Sequence, residues 1–150
     1  MQAWSGLTRL AEVVDRLQPG LRTFRDERGK ELFDLPDAPR PAPGTPAPVR
    51  LVAEFDNLVL SHADRARVIS PDHRQRLNTR NGIFPGTVLV DGFVAGMWRI
   101  TRARGAARLT IEMLASVPPA DRDAVVAEAE RLLGFAAPGD DHEIGFAPLV

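Results

Sequence analysis

A proline-rich stretch with the sequence PDAPRPAPGTPAP, Pro36 to Pro48, constrains the fold of this 150-residue chain more than any other feature. It holds six of the 13 prolines. Proline lacks an amide hydrogen and has a fixed φ, so neither a helix nor the interior of a sheet is expected there. We therefore predict an extended connector over residues 36–48, at most about 40 Å long at about 3.1 Å per residue. It would join two units, residues 1–35 and 49–150.

The first unit reads as a helix followed by a hairpin. In SGLTRLAEVVDRL the apolar residues recur at helical spacing, with Ser5 as N-cap, and Pro19-Gly20 should stop the helix. LRTFRDERGKELFDL predicts two short strands around a charged turn, in which Gly29 is available for a positive φ. A helix followed by a charged two-stranded ribbon is typical of the end of a winged helix. Residues 1–35 are thus interpreted as a winged-helix remnant, with a helix-hairpin cap on a neighbouring sheet as the alternative.

The second unit carries a clear hairpin signal, TVLV-DG-FVAGMWRITR. Asp-Gly is favoured in a tight type I′ turn, so Asp91-Gly92 should join two strands. Arg104-Gly105 predicts a second turn, which makes Thr87 to Leu114 a three-stranded meander. On the middle strand, alternation places Val94 on the same face as Trp98 and Ile100. Gly96 between them suggests a bulge or a bend of the kind that closes small barrels.

Shorter signals flank the meander. Residues 49–53 are strand-like, and Asp56-Asn57 should cap a short helix. PPADRDAVVAEAERLLG predicts an amphipathic helix that Gly134 ends, and HEIGFAPL predicts a last strand that closes the sheet. The fold class expected is α+β: a partial winged helix (helix plus hairpin wing), the connector, and a small antiparallel β-barrel-like domain with one C-terminal amphipathic helix.

Composition narrows the functional classes. The hydrophobic fraction of 44% and charged fraction of 26% are those of a soluble globular protein. No apolar run approaches the ~18 residues that span a bilayer, and no signal peptide is visible, so a cytoplasmic protein without membrane contact is expected. The absence of cysteine excludes disulfides, thiolate zinc sites and a cysteine nucleophile. No phosphate-cradling glycine loop or paired acid/base carboxylates occur, so no cofactor, metal or catalytic residue is predicted.

The net charge of −1 hides an asymmetry. Residues 62–108 hold nine arginines and three acids, 9 − 3 = +6, whereas residues 109–150 hold two arginines and eight acids, 2 − 8 = −6. Residues 1–61 hold eight bases and nine acids, 8 − 9 = −1. This pattern suggests a face for an anionic partner, and the simpler interpretation is two solvated faces that pair with each other.

The candidate DNA-contacting side chains lie in this basic segment. Arginine suits phosphate oxygens, and histidine and asparagine can add hydrogen bonds. The candidates are His62, Arg65, Arg67, Arg74, Arg76, Arg80, Asn81, Arg99 and Arg102. The proximity of His62 and Asp64 would also allow a catalytic or metal site, although no other His, Asp or Glu group repeats the spacing.

Two signatures, FDNLVLSHADR and VLVDGFVAGMWR, resemble the winged-helix DNA-binding family that includes the AlkZ/YcaQ-type DNA glycosylases. The resemblance covers nearly the whole chain, because the upstream helix and LRTFRDERGKELFDLPDAP resemble the family's last winged-helix segment and its wing. Family members are about twice as long or more, and stack winged-helix modules before a small β-barrel-like domain. The resemblance implies that this chain corresponds to the final wing and that domain. It also implies a bacterial protein.

The family's glycosylases carry a Gln-x-Gln catalytic motif, whereas Gln2, Gln18 and Gln75 are isolated here. The resemblance therefore implies a DNA-binding or DNA-associated module in DNA repair, itself not an enzyme, although a longer parent protein could be a glycosylase. Its partner would be double-stranded DNA, bound weakly through phosphates. The alternatives are a protein-interaction domain that docks an acidic partner, a second copy or a missing N-terminal half, and, ranked lowest, a hydrolase that uses His62 and Asp64.

Overall fold

The computed structural model describes residues 5–62, 64–77 and 82–147. The helices are α1 (Leu10–Leu17), α2 (Asn57–Leu60), α3 (Pro71–Leu77) and α4 (Pro119–Ala136), and the strands are β1 (Arg22–Arg25), β2 (Glu31–Asp34), β3 (Arg50–Val52), β4 (Gly86–Val90), β5 (Phe93–Ala103), β6 (Ala106–Met113) and β7 (Asp141–Ala147). The chain divides into two compact units, Met1–Thr45 and Pro46–Val150. Across the described part of the chain, no helix is long and apolar enough to cross a membrane.

In the first unit, α1 begins four residues later than the sequence predicts. Gly6 and Arg9 have φ values of 67° and 55°, so the backbone between them is not helical, and Ser5 caps nothing in α1. The Ser5 hydroxyl instead accepts a hydrogen bond from the Leu7 amide at 3.3 Å. The predicted stop is confirmed, because a 3₁₀ turn over Gln18–Gly20 ends the helix.

The predicted hairpin is confirmed. Strands β1 and β2 pair antiparallel with Phe24 opposite Leu32. The Asp26 carboxylate accepts from the amides of Arg28 and Lys30 at 2.9 and 2.8 Å, and Gly29 takes a φ of 76°. The carboxylate of Asp26 and the left-handed backbone of Gly29 thus close the turn, as the sequence predicts.

The proline-rich stretch contains no helix or strand, as predicted, but it turns rather than running straight. The Arg40 guanidinium donates to the carbonyls of Leu35, Pro36 and Ala38, the first at 2.6 Å. A second turn follows, in which the Thr45 amide donates to the Ala42 carbonyl at 3.0 Å. Arg40 therefore donates hydrogen bonds to three carbonyls that only water would solvate in a fully extended segment.

The second unit is built on a five-stranded sheet in the order β3-β4-β5-β6-β7. The predicted meander is confirmed as β4, β5 and β6, all antiparallel. At its turns, Asp91 and Gly92 have φ of 48° and 77°, and Arg104 and Gly105 have 51° and 80°. Two consecutive positive φ values are those of a type I′ turn, which matches the right-handed twist of the strands.

A bulge in β5 changes which residues share a face. Val88 of β4 lies opposite Gly96, but its neighbour Leu89 lies opposite Val94, so Ala95 is the extra residue. The predicted common face of Val94 and Trp98 is therefore wrong. Val94 packs in one buried cluster, whereas Trp98 packs against the other.

The predicted closed, antiparallel barrel is also wrong. Strand β7 pairs parallel with β6, and β3 and β7 lie at opposite edges of an open sheet within the described residues. The parallel pairing follows from α4, because a crossover helix returns the chain to the starting end of β6. Helix α4 also packs against β3, β6 and β7, so a helix covers one face where a barrel would need strand pairing. The architecture is mixed α+β.

Helix α4 continues to Ala136, two residues beyond the predicted stop at Gly134. Gly134 has no positive φ, so it does not form a left-handed cap. The predicted amphipathic helix is confirmed, since Val125, Ala129 and Leu133 on one side of it are fully buried.

Two apolar clusters hold the unit. The first lies between the sheet and α4 and includes Val88, Leu109 and Ile111. The second joins the other face of β4 and β5 to α2, α3 and their loops, and consists of Val59, Ile69, Leu77, Phe84, Leu89, Val94 and Leu114.

Asp56 caps α2 as predicted, accepting from the Leu58 amide at 2.8 Å.

Gly92→Val should destabilise the unit by more than about 1 kcal/mol, because a β-branched side chain fits a φ of 77° poorly. Gly92→Asn is the matched control, because asparagine adopts the left-handed region readily. Thermal unfolding followed by circular dichroism measures both. Equal melting temperatures for the two variants would contradict a type I′ turn at Asp91-Gly92.

Gly86→Ala should destabilise by about 1–3 kcal/mol through overpacking. A Cβ at Gly86 would lie 2.5 Å from Cε2 of the Trp98 indole. That ring is fixed, since its Nε1 donates to the Val52 carbonyl at 2.9 Å. Gly139→Ala is the control, because nothing lies within 4 Å of its added Cβ. Chemical denaturation of both variants tests this contact, and an unchanged unfolding midpoint for Gly86→Ala would refute it.

Candidate nucleic-acid interface

The strand register places an arginine-threonine surface on the outward side of the sheet. Arg99 of β5 lies opposite Thr110 of β6, and Thr101 lies opposite Arg108. Directly opposed residues of antiparallel strands share a face, so these four side chains are neighbours, and diagonal pairs such as Arg99 and Arg108 are about 7–8 Å apart at Cα. We call this group, together with Glu143 of β7 opposite Arg108, the polar sheet face.

Helix α3 adjoins one end of the polar sheet face. The His73 imidazole Nδ1 lies 3.0 Å from the Val94 carbonyl oxygen and Leu77 is fully buried, so the helix is attached to β5. Arg76 of this helix bonds to Glu112 of β6, with 3.3 Å between Nη2 and Oε1. Glu112 follows Thr110 on the same side of β6, so Arg76 reaches the edge of the polar sheet face.

The candidate residue Arg102 serves the fold. Its Nε donates to Asp140 Oδ2 at 2.7 Å, and the Asp140 side chain is only 14% exposed. The hydrogen bond to Asp140 and its negative charge raise the pKa of Arg102 above the ordinary arginine value. Arg102 therefore connects β5 to the turn between α4 and β7 and is a poor phosphate contact.

Arg65 is also taken up within the fold. Its Nε donates to the His62 carbonyl at 2.5 Å and its Nη2 to the Leu60 carbonyl at 2.9 Å. The His62 side chain is exposed, and Asp64 Oδ1 accepts from the Ala66 amide at 3.0 Å, which forms a local turn. The structure thus uses Asp64 and Arg65 to shape the loop after α2.

The remaining candidates are exposed or lie outside the described residues. Arg67, Arg74 and Arg99 are exposed and have no ion pair or side-chain hydrogen bond with any residue that the structure describes. The predicted contacts at Arg80 and Asn81 lie outside the described residues.

Sequence reasoning missed Arg108 as a candidate. The residue stands three positions after Gly105 of the second turn. The alternation within ARLTIEML already placed it on the solvent side of the strand, away from the face of the apolar Leu109. The sequence alone does not show that Arg108 pairs with Glu143 of β7, because a parallel strand partner 35 residues away leaves no local sequence pattern.

The acidic segment pairs with the basic one, as the simpler interpretation of the charge pattern suggests. Arg76, Arg102 and Arg108 bond to Glu112, Asp140 and Glu143 respectively. About a third of the positive charge of residues 62–108 is thereby compensated within the unit. The cationic surface that is left free is smaller than the sequence implies.

The chain matches the family model described as "DNA glycosylase AlkZ-like" over residues 1–135. Its fold is similar to that of a solved DNA glycosylase, AlkZ of Streptomyces sahachiroi, with a TM-score of 0.68 and 21% sequence identity. The match covers 92% of this chain and 36% of the glycosylase chain. No curated protein sequence matches the chain significantly.

These matches correct one expectation. The sequence predicted a chain that is not an enzyme, because it lacks the paired glutamines. That prediction is wrong, because the matched family is one of DNA glycosylases and the similar solved structure is also a DNA glycosylase. The expected resemblance to AlkZ-type proteins is confirmed.

Arg65→Ala should lower the stability of the unit by about 1–2 kcal/mol, because it removes two hydrogen bonds from a charged donor. Arg67→Ala, an exposed neighbour, removes the same charge and should change stability by less than about 0.5 kcal/mol. The urea unfolding midpoints of both variants show whether Arg65 stabilises the fold and Arg67 does not. Similar midpoints would show that Arg65 does not hold the loop.

Proposed function

Because this chain belongs to the AlkZ-like DNA glycosylase family, we propose that it works in DNA base excision, as the part of a glycosylase that holds duplex DNA. The family match over residues 1–135 is the observation that carries the proposal. The match covers 36% of the similar solved glycosylase chain, so the proposal concerns the part of the glycosylase fold that this chain shares.

The contacts to DNA are made by the free arginines. Arg67, Arg74 and Arg99 are exposed, and a guanidinium that no carboxylate compensates is available to a phosphate. Such contacts fix the position of the duplex without reading its sequence. Binding is therefore weak and independent of sequence, with a dissociation constant on the order of 10⁻⁴–10⁻⁶ M at physiological salt.

The proposed layout follows the sequence interpretation. Residues 1–35 form the helix and wing of a winged helix, residues 36–48 join the units, and residues 49–150 supply the arginines. The helix of α1 and the hairpin of β1 and β2 support the first assignment. His62, Arg80 and Asn81 are retained as further DNA contacts because they lie beside Arg67 and Arg74 in the sequence.

A protein-docking role is the second candidate. The three ion pairs of Arg76, Arg102 and Arg108 show that the basic segment accepts carboxylates within the unit. An acidic protein surface, on another domain or on a second copy, would use the same free arginines.

Arg99→Ala should weaken binding to an undamaged 20-base-pair duplex several-fold and reduce the magnitude of the salt slope by about one. Arg131→Ala is the matched control, because Arg131 lies on the acidic α4 and pairs with Glu128. Fluorescence anisotropy over a salt series measures both. Equal effects of the two variants would refute the role of Arg99, and no binding by the unaltered protein at low salt would favour the docking role.

A further inference from the structure

The Arg108–Glu143 pair on the polar sheet face has the geometry of anion recognition. Arg108 Nε lies 2.9 Å from Glu143 Oε2 and its Nη2 lies 2.5 Å from Oε1, so two parallel hydrogen bonds join the groups. Arginine binds phosphate with the same fork, through two N–H donors and two oxygens. The carboxylate therefore marks where a phosphate would sit.

This pair is also the one best placed to exchange its anion. The side chains of Arg108 and Glu143 are 58% and 60% exposed, so water screens their attraction and the pair contributes little to stability. Asp140, by contrast, is 14% exposed and accepts a 2.7 Å bond from Arg102, which makes that pair a poor candidate for exchange.

The neighbours of Arg108 suit a phosphate backbone. Arg99 lies diagonally across from it, and the hydroxyl groups of Thr101 and Thr110 stand on the same side of the sheet. Arg99 has no carboxylate partner among the described residues. The Thr101 hydroxyl donates to the Arg108 carbonyl, which leaves the Thr110 hydroxyl beside the two arginines. Two arginines about 7–8 Å apart at Cα can contact successive phosphates of one strand.

We propose that Arg108 is a phosphate-contact residue of this chain, and that Glu143 holds its guanidinium until a DNA phosphate takes the place of the carboxylate. The proposal rests on the proposed DNA-binding function and names the contact that sets its strength. Glu143 orients the Arg108 guanidinium. It also lowers the affinity for DNA, because a phosphate can bind Arg108 only after the ion pair with Glu143 opens.

The test compares duplex binding by Glu143→Gln, Arg108→Ala and the double variant, again by anisotropy over a salt series with the undamaged 20-base-pair duplex. Glu143→Gln should tighten binding about two- to fivefold, the range expected for an exposed ion pair, and raise the magnitude of the salt slope by about one. Arg108→Ala should abolish that gain in the double variant. Glu130→Gln is the control, since it removes an equal charge from the exposed side of α4.

Each outcome has one meaning. A gain for Glu143→Gln that is absent for Glu130→Gln and lost on adding Arg108→Ala supports the proposal. Equal gains for the two glutamine variants indicate a general charge effect and overturn it. Binding by the unaltered protein that responds to Arg99→Ala but not to Arg108→Ala or Glu143→Gln overturns it while leaving the proposed function intact. No duplex binding by any variant overturns both.

Discussion

The contact between Trp98 and Gly86 determines how the rest of the second unit is arranged. The indole ring lies 2.5 Å from the position that a Cβ of Gly86 would take, and it donates its N–H to the Val52 carbonyl, so one side chain holds β3, β4 and β5 together. A tryptophan that packs partly buried on one face also fixes the register, because a shift of one residue would turn it to the other face. The bulge at Ala95 then lets Val94 face the opposite cluster while Trp98 stays in place.

Local chemistry explains which elements the sequence could predict. The Asp91-Gly92 and Arg104-Gly105 turns, the Asp56 cap and the charged turn closed by Asp26 all depend on residues within a few positions of one another. Their backbone preferences are properties of the residues themselves, so no partner segment is needed to recognise them. The family resemblance was equally accessible, because its signatures coincide with these elements.

The elements that were mispredicted depend on distant partners or on backbone conformations that the residue type does not favour. Whether β7 pairs parallel or antiparallel is decided by the path of α4, and its residues carry no sign of that path. The start of α1 depends on left-handed residues, Gly6 and Arg9, of which only glycine could be suspected. The candidate site shows the same limit, since the sequence lists arginines without saying which carboxylates compensate them. Arg102 and Arg108 look alike in the sequence, and only the burial of Asp140 and the exposure of Glu143 separate them.

The parallel pairing of β6 and β7 affects the order in which the sheet can assemble. The meander closes through two-residue turns, and such hairpins form within about 1–10 μs. Strand β7 meets its partner across 35 residues, as between Arg108 and Glu143, and only after the 18-residue α4 has taken its place. The entropy lost in closing this long loop is offset only once the helix packs, so β7 should join the sheet last. The same strand lies at an edge of the sheet, so a partial opening that detached it would leave the meander closed. Such an opening would carry Glu143 away from Arg108. The Arg108 guanidinium would therefore lose its carboxylate partner whenever β7 left the sheet.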